Sequence, residues 1–478
     1  MDYQFDTPGG GFSVERSDKH LTTYGGMVAF ASFLDQLGII DRLVEACPVT
    51  RTSNNATPVR DILIGFILTC IQEGKRFKHI RSVQDDAALA KIFKAARRIP
   101  GDDSVRRFFE SVDSDAGRKW MHQVNGIIYG SLPAPCILDW DSTVTTRYGE
   151  QEGVEVGYNP MKRNRGSHHP LVCSVAGIRL CLDMEFRPGN SGSSSGWIEM
   201  LEQLLSRLPP DKRPSLNRAD VSFCSEDFAS WHEERPEERP RYLFKLRKTA
   251  RVMEAINNVD ANQWQGAASF GVLQVAETML KLRGWSRERR VVLGRRLVAE
   301  QSAEESGTLF GTCRYEYSAW VTNLTKQQAD AFQAVELYQK RADCENIFDE
   351  LKNQWGFTGF CSQHSNVTEL AARLTLLSYN LWSLFSRFFS GRKHQEAQTS
   401  RRDYLLLAGQ MVETGREKHM KLAVNDTLWQ RIEEGYRRLQ IWLRLTAPQL
   451  GRHHNKLQAL VNSVMPDYGL SPGFNCGF

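Results

Sequence analysis

Between residues 26 and 130 apolar residues recur every three to four positions, in GGMVAFASFLDQLGIIDRLVEAC and again in TPVRDILIGFILTCIQEG. That is the spacing of helices with one buried stripe. Thr57 is placed to cap the second helix with Pro58 in its first turn, and GDDSVRRFFESV reads as a further start capped by Asp103 or Ser104. Near residue 136 the period changes. CILDWDSTV and HPLVCSVAGIRLCLDMEF have strand texture, a Gly/Ser-rich turn RPGNSGSSSG leads into the helix WIEMLEQLLSRLP, and NRADVSF and RYLFKLRK read as two more short strands. This order suits an α/β core built on one sheet. Residues 249–312 interrupt it with mixed polar sequence and three or four short strands. YEYSAWVTNL then reads as another strand, followed by the helix LYQKRADCENIFDELKNQWGF. From about residue 366 helical spacing returns in VTELAARLTLLSYNLWSLFSRFF and LWQRIEEGYRRLQIWLRL, and the tail SPGFNCGF reads as a frayed end.

The pattern divides the chain into a helical region (1–130), a first core part (131–248), a β-rich insertion (249–312), a second core part (313–365) and a helical C-terminal region (366–478). At 478 residues, 41% hydrophobic and 24% charged, a folded protein of two or three domains is expected. The net charge of +5 is too small to argue for a nucleic-acid partner by itself. Local clusters carry that case. Lys281, Arg283, Arg287, Arg289, Arg290, Arg295 and Arg296 surround Trp285 with Glu288 as the single acid, a pattern shared by phosphate-tracking surfaces and by solvated β-ribbons. The N-terminal helices add Lys75, Arg76, Lys78, Arg81, Arg97, Arg98, Arg106 and Arg107. Ten scattered cysteines, without a C-x-x-C pair or histidines at zinc spacing, read as reduced thiols. MDYQFDTPGG does not resemble a signal peptide, and the longest apolar run, ILIGFILTCI, is far short of a membrane span. The expectation is a cytoplasmic protein with no membrane partner.

Asp139 and Asp141 alternate onto one face of LDWDST, a costly arrangement to bury without a cation. Asp220 ends a later strand. On the helix from residue 337, Tyr338, Arg341, Glu345 and Lys352 fall within an arc of roughly 60° at about 100° per residue. Taken singly, each acid reads as solvated surface, and Arg341 with Glu345 as an i,i+4 pair worth a few tenths of a kcal/mol. Together, three acids on three rigid elements suit Mg²⁺, which takes few carboxylates and keeps waters. Two such ions can drive phosphodiester cleavage or transfer.

These residues resemble the DDE transposases of bacterial insertion sequences, which have an RNase H-like catalytic core. Tyr338, Arg341, Glu345 and Lys352 fit the Y-x2-R-x3-E-x6-K signature of one branch without a gap. DWDSTV, YGEQEGVEVGYNP, HHPLVC, RPGN and RAD-x-S-F are similar to the insertion-sequence family called thirteen-eighty. The resemblance spans roughly residues 136–357. It implies an α/β RNase H-like core with a β-rich insertion and helical flanks, and Asp141, Asp220 and Glu345 as a triad for two Mg²⁺ ions, with Mn²⁺ as a substitute. Asp141 is preferred to Asp139 because the family's acid precedes a small residue and a threonine, here Ser142 and Thr143. Asp139 remains the rival. The second block departs from the family's D-S-G-F, having Asp220, Val221, Ser222 and Phe223, which leaves Asp227 as a distant substitute. Asp349, near Glu345 on the same helix, is the natural control.

The resemblance further implies that Arg341 and Lys352 hold phosphate, and that Tyr338 donates to phosphate or packs beside the flanking nucleotide. Trp264, Trp285 and Trp320 are candidates for stacking an extruded base, Trp320 being nearest the helix. Arg283, Arg287, Arg289 and Arg290 would track the DNA backbone. The implied activity is transposition by a homodimer on double-stranded DNA in the bacterial cytoplasm, at the nucleoid when bound. The ends at the terminal inverted repeats are cut and their 3′-hydroxyls joined to target DNA, by cut-and-paste through a hairpin. A nuclease without strand transfer and a catalytically idle DNA-binding descendant are the alternatives.

Overall fold

The change of period at residue 136 marks the first strand of the main sheet, and what precedes it is helical apart from an N-terminal hairpin. The computed structural model describes residues 3–446 and 453–464, apart from positions 15, 18, 52, 54, 270, 302–311 and 392–393. The tail SPGFNCGF lies outside these residues. The chain opens with β1 (Tyr3–Thr7), β2 (Gly10–Val14) and the short β3 (Leu21–Thr22), none of which helical periodicity predicts. Helices then include Met27–Leu37, Val59–Ile71, Asp102–Glu110 and Ser114–Tyr129. Their starts differ slightly from expectation. Pro58 rather than Thr57 is the cap of Val59–Ile71, and Gly101 precedes Asp102–Glu110, so Asp103 and Ser104 stand inside its first turn. There an acid still meets unpaired N–H groups.

β4 (Cys136–Ser142) is buried along its first five residues, as a central strand flanked on both faces must be. A small ribbon of β5 (Thr145–Thr146), β6 (Glu155–Val156) and β7 (Gly166–His168) leads to β8 (Leu171–Val175) and β9 (Leu180–Glu185). After the helix Trp197–Arg207 come β10 (Pro214–Ala219), the helix Glu226–Glu234 and β11 (Arg241–Lys245). Segment 249–312 begins with the helix Ala250–Asn257, then gives two long strands, β12 (Leu273–Leu280) and β13 (Arg289–Gln301), before β14 (Thr312–Thr322). Rather than forming a separate sheet, these strands prolong the main one, whose order is β12-β13-β14-β11-β10-β4-β8-β9. β4, β10 and β11 run parallel, and the pairings of β8, β9, β12, β13 and β14 are antiparallel.

Beyond β14 the helices Ala331–Gln339 and Ala342–Gln354 follow, then the 26-residue helix Ser365–Ser390. That last helix is buried on nearly every side, because apolar and small residues cover most of its circumference and buried charges such as Glu369 and Arg373 pair with each other at 2.7 Å. It packs against Val59–Ile71, Ser114–Tyr129, Asp426–Thr446 and β9, so the two helical flanks share one hydrophobic core with the edge of the sheet. The C-terminal region also holds a hairpin, β15 (Gly409–Thr414) and β16 (Glu417–Leu422), turning at Gly415 with φ +62° and joined by β3 in a three-stranded sheet. Among the described residues no helix is long and apolar enough to cross a membrane.

Candidate active site

Two parallel strands end side by side. In the register of β10 with β4, Arg218 is opposite Asp139 and Ala219 opposite Trp140, so Asp220 leaves the sheet beside Asp141. The two acids of β4 have different fates. Asp139, 1% exposed, is clamped by the fully buried Arg218: Nε donates to Oδ1 and Nη2 to Oδ2, each at 2.7 Å, while Nη1 donates to the Leu337 carbonyl. A buried carboxylate in a bidentate pair is neutralised by its partner and has no lone pairs facing a substrate. Asp141 stands at the open end of the strand. Its Oδ1 accepts from the Ser142 N–H at 2.8 Å, and Arg341 Nη2 lies 2.9 Å from its Oδ2. Burial holds the Asp141 carboxyl above the usual range, Arg341 opposes that shift and Asp220 adds to it. Two carboxylates thus crowd one strand end.

Asp220 accepts from the Ser222 N–H at 2.9 Å and caps a short 3-10 turn, Val221–Phe223. No residue of this turn has a positive φ, so Ser222 in place of the family's glycine brings no strain. Asp227 is exposed in the first turn of Glu226–Glu234.

The stripe of residues 338–352 does not lie on one helix. Tyr338 ends Ala331–Gln339, the chain turns at Lys340 and Arg341, and Glu345 and Lys352 belong to Ala342–Gln354. Arg341 does not pair with Glu345. Its Nη2 donates to the Trp140 carbonyl at 2.9 Å as well as facing Asp141, and its Nε is buried without a partner. Lys352 is half-buried, with its pKa lowered by burial against an opposing pull from Asp141. Glu345 is exposed and lines a cavity of about 270 Å³ together with Tyr338, Arg341 and Trp320. Asp349 is exposed and accepts from Asn353 Nδ2 at 2.8 Å.

Trp320 forms a wall of that cavity, its ring 5.8 Å from that of Tyr338 and its Nε1 buried without a partner. Gly294 is part of the same cavity, and a Cβ there would stand 2.9 Å from Trp320 Cζ3. Lys245, Arg295 and Arg296 add positive charge, with Arg295 stacked over Trp264 at 4.3 Å.

The densest basic cluster is divided. Arg283 and Arg287 are exposed. Arg289 is buried, with Nε 2.9 Å from Glu233 and Nη1 2.5 Å from Glu226, and its guanidinium lies 4.9 Å from the centre of the buried Trp285 ring. Arg290 reaches Glu277 and the Leu324 carbonyl. Of the expected DNA contacts, Arg289, Arg290 and Trp285 are thus turned into the fold, while Arg283 and Arg287 face outward.

Sequence reasoning gave no role to His169, Ser142 or Lys245. His169 Nε2 is 3.0 Å from Ser142 Oγ and its Nδ1 2.9 Å from the Ser191 carbonyl; burial, with Arg187 and Lys352 nearby, keeps it below the usual imidazole range. It braces the end of β4. The pair of histidines before β8 was its only signal. Lys245 ends β11 in RYLFKLRK, where it read as one more strand-end cation.

Among the described residues no three His, Cys, Asp or Glu side chains form a group that could hold a metal ion. The charge beside Asp141 is the Arg341 guanidinium. In kind, the donors still fit a hard divalent cation: carboxylate oxygens of Asp141 and Asp220 from two adjacent strands, Asp141 raised in pKa by burial and further by Asp220.

The family model described as transposase DDE domain group 1 matches residues 12–442. Among solved structures, the cryo-EM structure of the piggyBac transposase synaptic complex with hairpin DNA is similar, with 13% identity, a TM-score of 0.40, and 94% of this chain and 88% of that one covered. No curated protein matches. Given the extent of the family match, the chain belongs to the DDE transposase domain group 1 family.

Proposed function

We propose that this DDE transposase mobilises a bacterial insertion sequence of the Y-R-E-K branch similar to the family thirteen-eighty. Acting as a homodimer on DNA in the bacterial cytoplasm, it cuts the terminal inverted repeats and joins the 3′-hydroxyls to target DNA by cut-and-paste through a hairpin. The observation that carries the reading is the meeting of Asp141 and Asp220 at the ends of two parallel strands, with Arg341 held against Asp141. The order β9-β8-β4-β10-β11 supports an RNase H-like core, with β14, β13 and β12 as its insertion. Asp141, Asp220 and Glu345 would hold two Mg²⁺ ions, which supply activation of the attacking hydroxyl and stabilisation of the leaving oxygen.

The remaining work falls to the chain's own groups. Arg341 and Lys352 set fixed positive charge where a phosphodiester gathers negative charge. Trp320 and Tyr338 offer aromatic walls to a base next to the cut, and the orphan Trp320 Nε1 offers it a donor. Arg283, Lys245 and Arg296 stand exposed to meet backbone phosphates, and the exposed Arg287 joins them from its ion pair with Glu233.

The test is cleavage of a labelled fragment carrying the gene's own flanking DNA, with Mg²⁺ or EDTA, by wild type, Glu345→Gln and Asp349→Asn. Metal-dependent cuts at a repeat boundary that vanish in Glu345→Gln and persist in Asp349→Asn are expected. Cutting without joining would indicate a nuclease, and binding without cutting in every protein an idle descendant.

A further inference from the structure

Among the described residues the N-terminal hairpin has no strand partner beyond itself. β1 and β2 pair only with each other, Phe5 opposite Phe12. Alternation puts Gln4, Asp6 and Ser13 on one face and Phe5, Phe12 and Val14 on the other. Those three apolar side chains are 55%, 56% and 53% exposed. A two-stranded hairpin alone is marginal in water, and an aromatic face left open on one marks an interaction surface.

The same chain carries an open groove of about 360 Å³ between the Met27–Leu37 helix, the helix Ala87–Ile92 and the β15–β16 hairpin. Val28, Ala31, Met411 and Met420 make its apolar lining, and Val28 is itself 40% exposed. Arg60, Lys91, Lys94 and Lys418 stand among them against Asp35 and Asp41, and an adjoining hollow shares Lys91, Lys94 and Lys418 and adds Arg97 and Arg98 against Asp85 and Asp86, so basic charge exceeds acidic in both. The first fifteen residues, by contrast, contain Asp2, Asp6 and Glu15 and no lysine or arginine. An acidic arm with an aromatic face matches an apolar groove with basic edges in both shape of chemistry and sign of charge.

We infer that the hairpin of one chain docks, aromatic face inward, in this groove of a second copy. Exchanged reciprocally, the two identical contacts close a two-fold dimer without DNA. The arm leads into β3, and β3 belongs to the small sheet whose opposite edge, β16, borders the groove. Arm and groove therefore sit on one module, and exchange needs no other rearrangement.

Two measurements test this on the full-length chain. In the first, Phe12→Cys and Ala31→Cys chains are mixed under mild oxidation. A linked two-chain product is expected in the mixture above the background that either variant gives alone through the exposed Cys313 and Cys361. In the second, sedimentation without DNA compares wild type with Phe5→Ser/Phe12→Ser and Lys94→Glu/Lys418→Glu, circular dichroism serving as the folding control. Each pair of substitutions should weaken self-association at least tenfold, and Asp6→Lys should restore part of it in Lys94→Glu. No linked product in the mixture, with an internal link forming instead in a third chain that carries both Phe12→Cys and Ala31→Cys, would overturn the inference in favour of the arm's own groove. Unchanged self-association, or a monomeric wild type, would overturn it outright. Loss of DNA affinity with self-association intact in Lys94→Glu/Lys418→Glu would assign the groove to a polyanion instead.

Discussion

Neutralising Asp139 and neutralising Asp141 should have opposite profiles, although the two acids are two residues apart on one strand. Asp139→Asn removes the charge from a pair in which both side chains are at most 1% exposed, and leaves Arg218 charged between two bidentate contacts it can no longer balance. Breaking a buried pair from one side costs about 3–5 kcal/mol. Asp141 is 19% exposed, and an asparagine there keeps an oxygen for the Arg341 fork while relieving the repulsion from Asp220. Its loss should be about 1 kcal/mol or less, because burial and Asp220 already disfavour the Asp141 charge in the folded state. The assay is urea unfolding followed by tryptophan fluorescence, since the buried Trp140 lies between the two acids, together with metal-dependent DNA cleavage. Asp139→Asn should unfold at clearly lower urea, and Asp139→Asn/Arg218→Gln should regain part of the loss because neither charge is left alone. Asp141→Asn should unfold close to wild type and cleave nothing. If Asp139→Asn folds like wild type and is the variant that cannot cleave, the assignment of the two acids is reversed and the reasoning fails.

Gly294→Ala should lower stability by about 1–3 kcal/mol and impair cleavage, because the added methyl would press on the Trp320 ring from 2.9 Å; a variant equal to wild type in both urea unfolding and cleavage would remove the tryptophan wall from the site. Arg289 holds the Glu226 carboxyl down at about 2, so this contact stabilises the fold above the unfolded carboxylate pKa and loses its contribution as pH falls from about 4.5 towards 2. Arg289→Met should therefore be less stable at neutral pH and flatter across that acid window, as pH-dependent unfolding would reveal. Arg283→Gln should leave stability alone and reduce the slope of log affinity against log salt for DNA by about 0.9, the value of one phosphate contact; an unchanged slope in a binding titration would take Arg283 off the DNA path.

How far the sequence foretells this molecule depends on the range of the interaction. Alternation along LDWDST was readable locally and that strand forms where expected, whereas the strand read in NRADVSF starts earlier, at Pro214, and gives way after Ala219 to the 3-10 turn Val221–Phe223. That Asp139 is spent on Arg218 was not readable locally, because the partner is 79 residues away and is set by the register of β4 with β10. The turn at Lys340 and Arg341 carries neither glycine nor proline, so one continuous helix was the natural reading; Arg341 is engaged instead with the end of β4. Likewise, the basic run around Trp285 looks uniform in sequence, and only the arrival of Glu226 and Glu233 from another helix and of Glu277 from β12 separates the inward Arg289 and Arg290 from the exposed Arg283 and Arg287. The two hairpins had a signal, Gly9–Gly11 in one and Gly415 in the other, but lay in regions whose helical period dominated.

The burial of Ser365–Ser390 on nearly all sides has a genetic consequence. The helices Val59–Ile71 and Ser114–Tyr129 complete their core against a helix encoded far downstream of them. A frame interrupted before residue 365 would thus yield a fragment with wide apolar faces exposed, a substrate for proteases rather than a folded competitor for DNA ends. Damaged copies of the gene would then fall silent instead of acting as dominant inhibitors of intact ones.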